Sequence, residues 1–213
     1  MNDGMHPMNT DSKIKVFAYG GLILPESRSQ TLEAEIAAIP VRLTGFERFW
    51  GFAVPRFHLT TVALRVNSKA HCAGAIFSIS PEQLEKLDVR EEGYDRIEVP
   101  REDITNLDSS EISLEGKVYT YVYKDRSVPS PENPITQSDV DAILVGSLRE
   151  YGDSFTREIV KTTTGWEDFW INDRRNPRYP WSLRDMQFAE KIDQILKELI
   201  PNAFHQRQDD AGY

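Results

Sequence analysis

The first half of the chain alternates hydrophobic and polar residues in short runs, which is the pattern of half-buried β-strands. The first run ends in Gly20-Gly21, and the last is expected to extend upstream towards Ser113. A short helix is expected over 25–30. The predicted strands cover residues 13–19, 60–66, 73–79, 94–99 and 118–123.

The period changes from strand to helix at Ser80. This serine is a suitable N-cap, Pro81 stands at the first helical position, and Gln83 completes a capping box. Two leucines three residues apart give the helix an apolar face. Gly93 ends it, so the sequence predicts a short helix between two strands.

The second half of the chain is predominantly helical. Its prolines make residues 127–134 a loop. Ser138 is predicted to cap a helix whose apolar stripe runs to Gly152, with a kinked continuation beyond. A last amphipathic helix over 188–199 is stopped at Pro201.

Strands followed by helices predict an α+β fold with a barrel-like or strongly curved sheet. The chain divides on this basis into four parts. They are a disordered leader at 1–12, a β-rich domain at 13–125, a helical extension packed on it at 126–204, and a loose tail at 205–213.

Composition narrows the class of protein. The 213 residues include 25 Lys and Arg against 34 Asp and Glu, a formal net charge of −9, which argues against nucleic acid or an anionic membrane as partners. No apolar run reaches the roughly 20 residues of a membrane helix, and the first 12 residues lack the apolar stretch of a secretory signal. A lone cysteine, Cys72, rules out an intramolecular disulfide. We therefore expect a soluble cytoplasmic protein.

General catalytic motifs are absent, among them the G-x-S-x-G elbow, the Walker loop, H-E-x-x-H and C-x-x-C. His71 and Cys72 are neighbours in a predicted strand, so their side chains face opposite sides and disfavour a joint metal site. Cys72 is expected to be a small buried apolar residue. We therefore predict no metal site.

The loop Tyr19-Gly20-Gly21-Leu22 is the first candidate site. Glycines after a strand allow a sharp turn that presents successive N–H groups to a carboxylate or an oxyanion. Taken alone, the two glycines fit an ordinary strand-to-loop turn better.

The second candidate is the Glu91-Glu92 pair at the end of the predicted helix. The helix dipole disfavours negative charge there, and loss of solvent would raise the carboxyl pKa further, as acid–base chemistry near neutral pH requires. A solvated acidic helix end is the better interpretation of an isolated Glu-Glu pair.

In combination, the two segments resemble the γ-glutamylcyclotransferase-like (AIG2-like) family. That family has a Tyr-Gly-Ser-Leu or Tyr-Gly-Ser-Asn loop after its first strand, then a Gly-x-x-Phe strand and a Leu-Asp-x-x-Glu helix end ahead of a Tyr. Here the second segment runs from Gly74 through Leu87-Asp88 to Glu91, with Tyr94 after it. The resemblance covers about residues 14–124. It departs at Gly21, where the family usually has Ser.

The resemblance implies a small mixed β-barrel of the γ-glutamylcyclotransferase-like type, at 13–125, with flanking helices. It implies release of 5-oxoproline from a small γ-glutamyl amine or peptide, without metal or cofactor. Glu91 is the implied general acid and base, with Glu92 as the fallback. The implied substrate-binding residues are Tyr19, Gly20, Gly21, Leu22 and Tyr94, although Tyr94 is equally suited to a core position. Because the usual hydroxyl is missing at Gly21, a non-catalytic ligand- or protein-binding module is the alternative.

The segment at 165–181 is dense in aromatic residues and arginine. Its rings either cover the mouth of the barrel, with the arginines facing an acidic ligand or partner, or attach the extension to the domain. The second interpretation is favoured. Its arginines are then expected to be solvated or paired to nearby acids such as Asp168 and Asp173. Arg90 is likewise expected to pair with a surface acid.

Overall fold

The computed structural model describes residues 14–107, 114–182 and 186–210, so the predicted leader and Ser113 lie outside the described residues. The strands are β1 Ile14–Ala18, β2 Ile39–Val54, β3 Leu59–Ile79, β4 Asp95–Glu98, β5 Ile104–Asn106, β6 Val118–Val122, β7 Ile135–Thr136, β8 Thr163–Thr164, β9 Trp170–Asn172 and β10 Gln208–Asp209. The helices are α1 Pro25–Leu32, α2 Pro81–Arg90, α3 Gln137–Lys161, α4 Ala189–Leu199 and α5 Pro201–Gln206.

β2 and β3 form a long antiparallel hairpin, to which the other strands of the sheet are joined. The runs predicted at 60–66 and 73–79 are parts of one strand, β3, and β2 pairs with residues of both runs. Register shifts beside Gly45 and Gly51 interrupt the pairing, and Gly45 has a φ of 82°. Such bulges bend a hairpin and increase its twist, so the sheet curves around its core.

The remaining strands extend both sides of this hairpin. β1 lies antiparallel to the second half of β3 and parallel to β6, which pairs with β4. β7, β9 and β10 continue from the start of β3, while β5 and β8 pair with β2. The mixed sheet with its helices confirms the α+β class. Among the described strands, the sheet does not close on itself, and β2 with its partners β5 and β8 branches from β3.

Local sequence signals set the ends of α2. The Ser80 hydroxyl accepts the Gln83 N–H at 3.2 Å, and the Ser80 N–H donates to the Gln83 side chain at 3.0 Å. The predicted capping box is therefore confirmed. The predicted cap of α3 is wrong, because Thr136 takes the N-cap position and the Ser138 hydroxyl donates to Asp173 instead. At Gly152, with a φ of 81°, α3 kinks and continues.

The part of the chain after residue 125 shares the core with the rest. It contains α3, α4 and α5, but also the short strands β7 to β9, which join the main sheet. The Trp50 ring contacts Trp166 at 5.3 Å between centroids, and Trp166 contacts Trp170 at 5.4 Å. In the predicted tail, β10 pairs with β9. None of the helices in the described ranges has the length and apolar character that crossing a bilayer requires.

Candidate active site

One pocket, with a volume of about 130 Å³, brings the two candidate segments together. The loop from Tyr19 to Leu22 forms one wall, and the end of α2 from Arg90 to Glu92 forms another, with Tyr94 beside it. Residues of the β2–β3 turn, among them Phe57, also line the pocket. All six residues predicted to form the site therefore line the same pocket.

The glycine loop presents unpaired amide groups. After β1 the chain enters a short 3₁₀ helix in which the Ile23 and Leu24 N–H groups donate to the carbonyls of Gly20 and Gly21, at 2.9 and 3.2 Å. Within the described part of the chain, the N–H groups of Gly20, Gly21 and Leu22 donate to no protein acceptor. Unpaired N–H groups on three consecutive residues that line a pocket are suited to binding an anion or an oxyanion.

Two buried arginine side chains donate hydrogen bonds to main-chain carbonyls of this loop. Arg48 Nη1 donates to the Tyr19 carbonyl at 3.0 Å and to the Ala73 carbonyl at 2.8 Å. Arg28 Nη1 donates to the Leu22 carbonyl at 2.9 Å. Both guanidinium groups are buried, and burial lowers their pKa values. The loop's carbonyls are thus held by buried side chains, while its N–H groups make no hydrogen bond within the described residues.

Glu91 is the first residue after α2 and its side chain is 17 % exposed. Its N–H closes the helix by donating to the Leu87 carbonyl at 2.8 Å. Burial raises the pKa of the Glu91 carboxyl, and neighbouring Arg90 opposes that rise without cancelling it. Glu92 also borders the pocket, but the residue is solvent-exposed. Glu91 is therefore shielded from solvent and Glu92 is not, and it is loss of solvent that raises the pKa of a carboxyl towards the range useful for proton transfer.

The prediction that Arg90 pairs with a surface acid is wrong. Its Nε lies 3.2 Å from a Glu91 carboxylate oxygen, and its side chain is only 13 % exposed. The other guanidinium nitrogens donate to α1, at the Ser27 carbonyl and hydroxyl and at the Thr31 hydroxyl. The guanidinium also lies 4.8 Å from the centre of the Trp181 ring. Arg90 therefore fixes the position of Glu91 relative to α1.

Tyr94 is both a packed residue and a pocket residue. Its ring stacks on Phe52 at 4.2 Å between centroids, and its hydroxyl donates to the Val62 carbonyl at 3.2 Å. Burial raises the pKa values of Tyr94 and Tyr19, and the negative charge of Glu91 adds to both effects. Both phenols consequently stay protonated at neutral pH.

Asp139, in the first turn of α3, is a buried carboxyl that the sequence analysis did not single out. Neither carboxylate oxygen has a hydrogen-bond partner of normal geometry among the described residues. Burial raises its pKa to about 7, nearby Thr61 and Arg90 lower it, and Asp173 raises it. Its charge in turn raises the pKa values of two pocket tyrosines, Tyr94 and Tyr179.

The aromatic segment at 165–181 divides into two groups. Trp166 and Trp170 are buried in the core, as the packing interpretation predicts. Tyr179 and Trp181 instead line the pocket, with their ring centroids 5.5 Å apart. No local signal distinguishes the two groups, since both consist of aromatic residues among charged ones.

Two of the three arginines of this segment form ion pairs, and Arg175 is solvent-exposed. Arg174 pairs with Asp141 at 2.6 Å and Arg178 with Asp210 at 2.7 Å. Asp173, expected to pair with them, accepts hydrogen bonds from Ser138 and from the Arg178 main chain.

Cys72 and His71 are not among the residues that line the pocket. Cys72 is buried in the core, and His71 lies on the side of β3 that faces Glu158, at 3.4 Å. Across the ranges that the structure describes, no three His, Cys, Asp or Glu residues are grouped as a metal site.

Comparison with known proteins identifies a family for the chain and solved structures of similar fold. Residues 16–141 match the family model "Gamma-glutamyl cyclotransferase, AIG2-like". A solved structure described as "Gamma-glutamyl cyclotransferase" superposes with a TM-score of 0.55 at 16 % identity, over 85 % of this chain and 99 % of the other. An uncharacterised protein from Homo sapiens gives 0.55 at 18 % identity, over 71 % and 88 %. No curated protein sequence matches the chain.

Proposed function

Because this chain belongs to the AIG2-like gamma-glutamyl cyclotransferase family, we propose that it is an enzyme that releases 5-oxoproline from a small γ-glutamyl amine or peptide. The observation that carries the proposal is the shared pocket of the glycine loop and the shielded Glu91 carboxyl. The structural relatives, at 16–18 % identity, support the fold of this site rather than its substrate.

Ring closure begins at the α-amine of the substrate. As an ammonium ion the amine has no lone pair, so a base must remove a proton before it attacks the γ-carbonyl. Glu91 is the base that we assign, because burial raises its pKa and so increases its proton affinity. The new C–N bond closes a five-membered ring and places negative charge on the former carbonyl oxygen.

The N–H groups from Gly20 to Leu22 are assigned to the γ-glutamyl group, where they bind its carboxylate or the developing oxyanion. When the tetrahedral intermediate collapses, the bond from carbon to the departing nitrogen breaks. Glu91, now protonated, donates its proton to that amine. The carboxylate then removes the second proton from the ring nitrogen and passes it to the released amine. The carboxylate is thereby regenerated, and the products are 5-oxoproline and the amine as an ammonium ion. Holding the amine and carbonyl in ring-closing geometry contributes much of the rate.

Tyr19 and Tyr94 are assigned supporting roles in this pocket. Both remain phenols at neutral pH, because burial and the nearby Glu91 charge raise their pKa values. They shape the wall next to Glu91 and limit the access of water to its carboxylate. A carboxylate that loses water in this way is a stronger base.

The proposal is tested by incubating the purified protein with a panel of γ-glutamyl amines, γ-glutamyl amino acids and γ-glutamyl peptides, followed by quantification of 5-oxoproline. At least one compound should yield 5-oxoproline and its amine in equal amounts, and Glu91→Gln should stop that reaction. No 5-oxoproline from any compound, or undiminished turnover by Glu91→Gln, would overturn it. Saturable binding without turnover would instead favour a binding module.

A further inference from the structure

The Tyr179 hydroxyl occupies the space where a side chain at position 21 would begin. A β-carbon on Gly21 would lie 2.2 Å from this oxygen, far inside van der Waals contact, and 3.5 Å from the ring carbon that bears it. The same position would lie 3.5 Å from Arg90 Nη2. Tyr179 can therefore occupy this position only because residue 21 has no side chain.

Tyr179 is fixed in this place by a buried hydrogen-bond network. Its N–H donates to the Ser138 hydroxyl at 3.1 Å, and that hydroxyl donates to Asp173 at 2.6 Å. Asp173 also accepts the N–H groups of Ser138 and Arg178, each at 2.8 Å. Ser138, Asp173 and Tyr179 are all buried. A surface loop that only covered the pocket would not need an anchor of this kind.

The phenol group itself has no hydrogen-bond partner among the described residues. The hydroxyl makes no hydrogen bond to any other residue within the described ranges, although the ring lines the pocket. Burial, together with the charges of Asp139 and Glu91, raises the pKa of Tyr179, so the group keeps its proton. A protonated hydroxyl beside three unpaired N–H groups is a further donor for a ligand oxygen.

We propose that Tyr179 is a substrate-binding residue, and that its hydroxyl donates to an oxygen of the γ-glutamyl group beside the N–H groups of Gly21 and Leu22. This assignment rests on the proposed function and deepens it. The hydroxyl that the loop lacks at position 21 is supplied by the C-terminal segment, so the substrate-binding surface is built from both ends of the chain.

The test is an exchange of the two positions, read by equilibrium binding of 5-oxoproline in a titration calorimeter. Tyr179→Phe removes one oxygen and should weaken binding about 10-fold or more, the usual effect of losing a hydrogen bond to a charged ligand group. Gly21→Ser should also bind poorly, because its β-carbon collides with the Tyr179 hydroxyl. The double variant Gly21→Ser/Tyr179→Phe should recover affinity, since the remaining contact of 3.5 Å is an ordinary one.

Tyr119→Phe is the matched control, because Tyr119 lies outside the pocket and its variant removes the same atom. Unfolding midpoints of all variants separate binding defects from folding defects. Parental affinity in Tyr179→Phe, a double variant no better than the single variants, or a parent that does not bind 5-oxoproline would overturn the inference. Turnover is measured separately, so a parent that binds 5-oxoproline without producing it refutes the proposed enzyme and still allows Tyr179 to be judged.

Discussion

The Nε of Arg90 lies 3.2 Å from a carboxylate oxygen of Glu91, and the two side chains are 13 % and 17 % exposed. Two opposing effects therefore act on the pKa of the Glu91 carboxyl. Burial favours the neutral carboxylic acid, whereas the guanidinium favours the carboxylate. A general base must be ionised when the substrate binds. Glu91 therefore needs the charge of Arg90, which favours the carboxylate, as well as burial, which increases its proton affinity.

Arg90→Gln should therefore move the acidic limb of kcat/KM to higher pH. Loss of the guanidinium charge raises the Glu91 pKa further, so less carboxylate is present at a given acidic pH. Arg90→Lys keeps a positive charge and should show a smaller displacement. Arg96→Gln, which removes a surface pairing with Asp88, is the control and should leave the limb in place. An unchanged limb in Arg90→Gln would contradict this account.

Glu91→Gln should lower kcat by about 10² to 10⁴, the usual contribution of one general acid–base group, while the protein remains folded. Glu92→Gln is its matched control, because the neighbouring residue is exposed at the same helix end. That variant should stay within a few-fold of the parent. Steady-state kinetics of 5-oxoproline release measures both, and equal losses in the two variants would refute the choice of Glu91.

Asp139 should make the protein less stable as the pH rises. Its pKa is about 7 when folded, against an ordinary 3.8, so the folded state binds more protons between these values. The free energy of unfolding therefore falls from about pH 4 to above pH 7, by at most about 4 kcal/mol from this group. Asp139→Asn removes that dependence.

Urea titrations at several pH values measure this effect. The stability of Asp139→Asn relative to the parent should increase with pH across that window. Asp141→Asn is the contrast, because Asp141 pairs with Arg174 at 2.6 Å and its loss should destabilise the protein at pH 7. A difference between Asp139→Asn and the parent that is constant with pH would show that the buried carboxyl does not titrate in this range.

Arg48→Met should destabilise the protein by about 3 kcal/mol or more. The guanidinium donates to carbonyls of Tyr19, Ala73 and Ile159, and the variant leaves these buried acceptors unpaired. Arg65→Met removes a partly exposed pair with Glu47 and should cost less than about 1 kcal/mol. Chemical denaturation compares the two, and similar losses would show that the buried network contributes little.

Local rules account for the parts of the fold that the sequence predicted well. The capping box at Ser80 and Gln83 needs only four neighbouring residues, and its geometry is the same in any fold. The Tyr19–Leu22 loop and Glu91 were found through the joint spacing of two motifs. Their meeting in one pocket follows from the family's fold, which no local rule contains.

The residues that the sequence analysis misjudged depend on distant contacts. Ser138 looks like a helix cap, but Asp173 takes its hydroxyl. β3 looks like two strands, because its middle is polar, yet β2 pairs with both halves. Tyr179 reads as one more packing aromatic, because its relation to Gly21 exists only after the chain has folded.

Arg48 also has a consequence for the order in which the protein matures during synthesis. Its acceptors include Tyr19, directly after β1, and also Ile159 in the last turn of α3 and Thr163 at the start of β8. The ribosome releases the glycine loop early, but the guanidinium behind it cannot complete its bonds until these late residues emerge. The loop is thus translated early, but the hydrogen bonds that hold its carbonyl form late. A nascent chain that stalls before residue 159 should have no working pocket.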